Sequence, residues 1–233
     1  MMDSKFATRP LLAAAPVLAA GLILGSHLLA PRATAQTAVA TAPVAANVER
    51  GKKLYTATCL MCHGEKGEGK KEFNSPALSR QERWYLVAQL QKFRAGLRGT
   101  DAKDAGGTMM RPMAQSLPDE QALVDVAGYI TTLQAPYPAP QVKGDVAAGK
   151  THFSTVCAAC HGGNAKGKPE LKAPALLGQN DWYIATQLQK FKSGLRGSNP
   201  KDVTGLQMKG MAATLADDAA VSNVAAYIAT LAK

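Results

Sequence analysis

Cysteine and histidine are both scarce in this sequence, four of each among 233 residues, and aromatic residues make up only 6% of it. All four cysteines fall in two matching settings, Cys59-Leu60-Met61-Cys62-His63 and Cys157-Ala158-Ala159-Cys160-His161, so none is left over for a structural disulfide. No long basic block is present, which argues against a nucleic-acid partner. Convincing pairs of alternating strands are also lacking, which leaves an all-α fold class. The hydrophobic share, 46%, suits one medium domain or two of about 100 residues. A domain that small gains much from a large bound apolar group.

Cys-x-x-Cys-His is the attachment signature of c-type haem: both thiols add to the haem vinyl groups and the adjacent histidine reaches the iron. A thioredoxin-like motif needs a βαβ setting that is missing here, and a structural zinc site brings its cysteine pairs far closer together than these. Two covalently bound haem c groups are therefore expected, held through Cys59, Cys62, Cys157 and Cys160.

The attachment chemistry belongs outside the cytoplasm, and the first residues carry a matching address. Lys5 and Arg9 precede an apolar stretch from Leu11 to Ala30, followed by Ala33-Thr34-Ala35. Residues 1–35 read as a signal peptide cleaved before Gln36 or, because the apolar run is long, as a retained membrane anchor through residues 11–30. Either way the expected location is periplasmic, soluble or tethered to the outer face of the inner membrane. The formal charge is +10, and without residues 1–35, which hold Lys5, Arg9, Arg32 and Asp3, it is +8. Such a surface steers the protein towards acidic partners or an anionic membrane face, and serves solubility equally well.

Offset by 98 residues, the chain superposes on itself without a gap: Cys59 falls on Cys157, Pro76 on Pro174, Trp84 on Trp182, Met110 on Met208 and Tyr129 on Tyr227. Between 49–133 and 147–231 there are 39 identities in 85 positions. The organisation is thus a flexible lead-in at 36–46, one domain at 47–134, a Pro-rich linker at 135–145 that holds the domains close, and a second domain at 146–233. Each copy reads as three main helices: one running into the cysteine motif, one from about Trp84 to Ala95 closed by Gly96, and one from about Asp119 to Leu133 with Leu123, Val126, Ala127 and Ile130 facing inward. The Gly-rich remainder reads as loop.

His63 and His161 are the expected fifth iron ligands. Histidine is almost excluded as the sixth, because His27 lies in the leader and His152 is matched by Leu54. Methionine remains. Met109 corresponds to Gln207, while Met113 and Met211 stand four residues before Leu117 and Leu215, a spacing that suits packing on one face. The expected sixth ligands are Met110 and Met208, each 47 residues after its histidine, with Met113 and Met211 as the alternative pair. His–Met ligation fills both axial positions and suits electron transfer rather than substrate chemistry. Pro76 and Pro174, 13 residues after the histidines, can offer a carbonyl to the imidazole, and Trp84, Tyr85, Arg98 and their counterparts are candidate donors to haem propionates.

With those residues the chain resembles the class I cytochromes c, and its duplication is similar to the dihaem c-four family, over residues 47–233. The Gly51/Tyr55/Tyr129 and Gly149/Phe153/Tyr227 sets match that family's helix crossing, and Met110-Arg111-Pro112-Met113 and Met208-Lys209-Gly210-Met211 match its Met-x-x-Met segment, whose first methionine binds iron. The resemblance implies two domains related by a pseudo-twofold axis, and a carrier of single electrons from a quinol-oxidising complex to a terminal oxidase. Related tandem domains also serve as electron-accepting subunits of dehydrogenases. A haem enzyme would need an open or unusually ligated iron, which the repeated methionines count against.

Overall fold

The computed structural model describes residues 45–232, so the expected leader at 1–35 lies outside the described part of the chain. Among the described residues no helix is long and apolar enough to cross a membrane. The first copy contains α1 (Val48–Thr58), α2 (Leu60–His63), α3 (Arg83–Arg94), α4 (Ala105–Gln115) and α5 (Glu120–Ile130), and the second α6 (Val146–His152), α7 (Ala158–His161), α8 (Asp181–Ser193), α9 (Val203–Ala212) and α10 (Asp218–Thr230). Only two isolated bridges, Lys70 to Ser75 and Lys168 to Ala173, stand in for β-structure among these residues.

The first helix of each copy packs on the last. Gly51 of α1 and Gly149 of α6 meet the partner helix backbone so closely that a Cβ atom would lie 2.0 Å from the carbonyl oxygens of Asp125 and Asn223. One turn on, Tyr55 meets Tyr129 and Phe153 meets Tyr227, both with ring centroids 5.4 Å apart. Around these crossings lie two cores: Tyr55, Leu86, Leu123, Val126 and Ile130 in one copy, Phe153, Ile184, Val221, Val224 and Ile228 in the other. The four residues expected to face inward from α5 are all buried, because a 3.6-residue period keeps them on one stripe. Asp119 and Asp217 start the last helices by accepting the amides of Ala122 and Ala220.

The stretch expected to be loop instead holds a fourth helix in each copy, the one that carries Met110 or Met208. Its start is a side-chain cap: Asp104 accepts the Gly107 amide at 3.0 Å and Asp202 the Gly205 amide at 2.9 Å. Gly99 and Gly197, at φ +77°, bring the preceding turn against that first helical turn, where a Cβ would lie 2.2 Å from the carbonyl of Gly107 or Gly205. In the first copy the backbone turns at Cys59 between α1 and α2. In the second the helical path runs unbroken into the cysteine motif, with a wider turn over Phe153–Cys157 joining α6 to α7.

The linker is pinned to both copies. Arg80 donates to the Ala135 carbonyl at 2.9 Å and stacks over Tyr137, while the amides of Gln141 and Val142 donate to Asp181. Across the boundary the contacts are reciprocal. The amide of Ala77 donates to Asn180 at 2.7 Å, and that of its counterpart Ala175 to Glu82, the counterpart of Asn180, at 3.2 Å. Gln81 and Gln179 likewise donate to the carbonyls of Ala175 and Ala77. Glu82 and Asn180 occupy the N-cap positions of α3 and α8 yet make no capping bond, because their side chains reach into the other copy. This is the pattern of an isologous contact, here made within one chain.

A Cβ at the helix crossing has nowhere to go. Gly51→Ala is expected to destabilise the protein by about 2–3 kcal/mol in denaturant unfolding, because two backbones must separate. Gly210→Ala, in α9 with open space around it, is expected to stabilise by about 0.5–1 kcal/mol. Equal effects at the two positions would remove the crossing as the cause.

Candidate haem sites

Each site is built on the short helix that follows the first crossing. One helical turn from Cys59, the residue just before α2, places Cys59 and Cys62 three residues apart on one side, with His63 next, and Cys157 with α7 repeats the arrangement for Cys160 and His161. The turn is held from behind by Lys70 and Lys168, which donate to the carbonyls of Met61 and Ala159 at 2.9 and 2.8 Å. Two of the lysines after the motifs therefore have a structural duty. Burial raises the pKa of both leading thiols, Cys59 to about 12 and Cys157 to about 11.

His63 and His161 are buried, and the Nδ1 of each lies 2.9 Å from the carbonyl oxygen of Pro76 or Pro174. A carbonyl can only accept, so Nδ1 carries the proton and Nε2 keeps its lone pair free. Burial lowers the pKa of both rings and outweighs the opposing pull of the carbonyl bonds. Both imidazoles are held neutral, the form that binds iron. The carbonyls of Pro76 and Pro174 fix the orientation of the two rings.

Facing the histidines is a cavity of about 490 Å³ lined from both copies. It brings together Cys59, Cys62, His63, Pro76 and Met110 from the first copy and Cys157, His161, Pro174 and Met208 from the second. Cys160 is exposed and does not line it. Met109 and Met113 also reach the cavity in the first copy, but in the second Met208 does so without Met211. Only the pair Met110 and Met208 is shared. Met113 and Met211 are 42% and 43% exposed while Leu117 and Leu215 are buried, so the shared face expected of them does not form.

The polar lining fits a dianionic, largely apolar group. Arg98 and Arg196 are buried, each stacked over a phenylalanine of its own copy with its guanidinium carbon 4.5 Å from the ring centroid. Arg98 donates to Tyr183 and Gln187 of the other copy, and Arg196 to Tyr85 and Gln89, at 3.0–3.2 Å. The candidate propionate donors are thus joined to one another across the domain boundary. Neither guanidinium meets a carboxylate among the ion pairs of the described residues, and the Nε of Arg98 is buried without an acceptor. Buried cations without anions call for negative charge, which haem propionates supply. Burial resists ionisation of Tyr183, yet the charges of Arg98 and Arg196 outweigh it and bring its pKa below the ordinary phenol value. The indole Nε1 of Trp84 is likewise buried without an acceptor.

The cytochrome c family model matches residues 48–134 and 146–232. The chain is 32% identical over 181 residues to cytochrome c4 of Azotobacter vinelandii, covering 72% of this chain and 82% of that one. It is 29% identical over 199 residues to the thiosulfate dehydrogenase electron acceptor of Stutzerimonas stutzeri (strain A1501), covering 78% and 86% of the two chains. Among solved structures, reduced cytochrome c4 from Pseudomonas stutzeri matches with a TM-score of 0.61 and 28% identity, over 79% of this chain and 98% of that one.

A fixed buried cation disfavours the more positive, oxidised state of nearby iron. Arg98→Met is therefore expected to lower the midpoint potential in a redox titration, and Arg98→Lys to retain most of the wild-type value. An unchanged midpoint in Arg98→Met would show that the iron does not feel this charge.

Proposed function

The chain belongs to the cytochrome c family, as a tandem with two covalently bound haem c groups that moves single electrons, and we propose that it does so in a periplasmic respiratory chain between a quinol-oxidising complex and a terminal oxidase. The reading of place rests on the export-like segment at 1–35, and the tether it allows would hold the protein at the outer face of the inner membrane.

One observation carries the proposal that both sites are closed. Each copy pairs a histidine fixed through Nδ1 on a proline carbonyl with one shared cavity-lining methionine, His63 with Met110 and His161 with Met208. In this reading Cys59, Cys62, Cys157 and Cys160 would form the thioethers, and His63 with Met110 and His161 with Met208 would hold the two irons. Bound haem iron supplies the reversible one-electron exchange. The chain's own residues hold the imidazoles neutral and aimed, cover the haem faces with apolar side chains, and set buried positive charge beside the cavity.

A second reading, the electron-accepting partner of a dehydrogenase, is favoured by the similarity to a thiosulfate dehydrogenase electron acceptor along most of the chain. Copurification with a quinol-oxidising complex or oxidase, as against a dehydrogenase, separates the two.

The ferric protein is expected to show the weak far-red band of methionine-ligated haem, and Met110→Ala and Met208→Ala are each expected to remove about half of it. Loss in Met113→Ala or Met211→Ala instead would transfer the role to the later pair. The surroundings of the two methionines differ, with Arg111-Pro112 against Lys209-Gly210, so two resolved waves are expected in a redox titration. One unresolved two-electron wave would count against unequal sites.

A further inference from the structure

Each methionine-bearing helix begins at a buried aspartate, and each aspartate is met by a lysine from the other domain. Lys92, in α3 of the first copy, places its ammonium 2.7 Å from Asp202 and 2.6 Å from the Thr204 hydroxyl, at the start of α9. Lys190, in α8 of the second, stands 2.5 Å from Asp104, at the start of α4. The carboxylates are 1% and 3% exposed and the lysine side chains 17% and 18%, so water screens these pairs little. In both pairs the oxygen that meets the ammonium is the one that caps the helix, accepting from Gly107 or Gly205. The lysines are also firmly rooted. The carbonyl of Lys92 accepts from Leu97 and Arg98 and that of Lys190 from Arg196, in the glycine-closed turns that end α3 and α8.

We propose that Lys92 and Lys190 are positioning residues acting in trans, each setting the start of the helix that presents the other domain's methionine to iron. The proposal rests on the reading of Met110 and Met208 as ligands. Both methionines lie six residues beyond their capping aspartate, about one and two-thirds helical turns away. Without the ammonium a buried carboxylate is left with its backbone partner alone, and it either takes up a proton or turns to water. Both responses weaken the cap and let the first turn of that helix shift. The thioether at its far side then moves with respect to a histidine held independently by the proline carbonyl. A change in one domain is therefore felt at the iron of the other.

The test is proton NMR of the reduced holoprotein, in which an iron-bound methionine methyl is shifted strongly upfield by the haem ring current. Met110→Ala and Met208→Ala assign the two resonances, one lost in each. Lys92→Met is expected to shift or broaden the Met208 resonance and leave that of Met110 in place, Lys190→Met to do the reverse, and Lys92→Arg to restore the wild-type position. Arg80→Met, which removes a bond to the linker remote from either cap and from either histidine, is expected to spare both. A response in the lysine's own domain, no response, or the same pattern from Arg80→Met overturns the proposal and leaves the lysines as interface glue. If Lys92→Met does not retain two haems, Lys92→Gln, which keeps a donor without the charge, is read the same way. Should Met110→Ala and Met208→Ala leave both resonances in place, the ligand reading fails, and this proposal with it, whatever the lysine variants show.

Discussion

The backbone contact at Gly51 and Gly149 is the constraint from which each haem site is built. It brings the first helix of a copy onto the last at a distance no side chain permits, and so aims the end of that helix, with its cysteines and histidine, at the cavity. What surrounds the contact is free to vary. In the first copy the buried Asp125 accepts the Asn47 amide and is met by Arg50, itself paired with Asp119. In the second, the neutral Asn223 accepts the Asp145 amide, and the position equivalent to Arg50 is Ala148. The anion appears with its cation and both are absent together, as the cost of burying an unpaired carboxylate demands.

Between the copies the balance differs. The boundary is crossed by amide, carbonyl, guanidinium and ammonium groups, each of them finding a partner whose counterpart finds its own. Polar contacts of this kind add modestly to stability but are demanding in geometry, so they favour one arrangement of the domains over near alternatives. The N-cap side chains of α3 and α8 illustrate the priority, since Glu82 and Asn180 leave their own helices uncapped to reach across.

Much of this was legible in the residues. The offset of 98 identified equivalent positions, the period of α5 was clear from Leu123 to Ile130, and the distance from each histidine to its proline matches the bond at Nδ1. The helices carrying Met110 and Met208 were not read, because glycine, proline and threonine around them lower helix propensity. The readable sign was Asp104 and Asp202, caps standing just before each stretch. The cross-domain pairs were beyond reach for a different reason: self-comparison tells which residues correspond, and says nothing about which of them touch.

The reciprocity of those pairs also bears on how such a chain came to exist. In a twofold homodimer of single-haem subunits, a lysine that holds its neighbour's capping aspartate does so twice, by symmetry and from one gene. Fusing two copies of that gene through a short connector would keep every such contact while releasing the halves to diverge, as Asp125 and Asn223 have. The interface has the form of a twofold dimer, and the covalent link makes its formation independent of concentration.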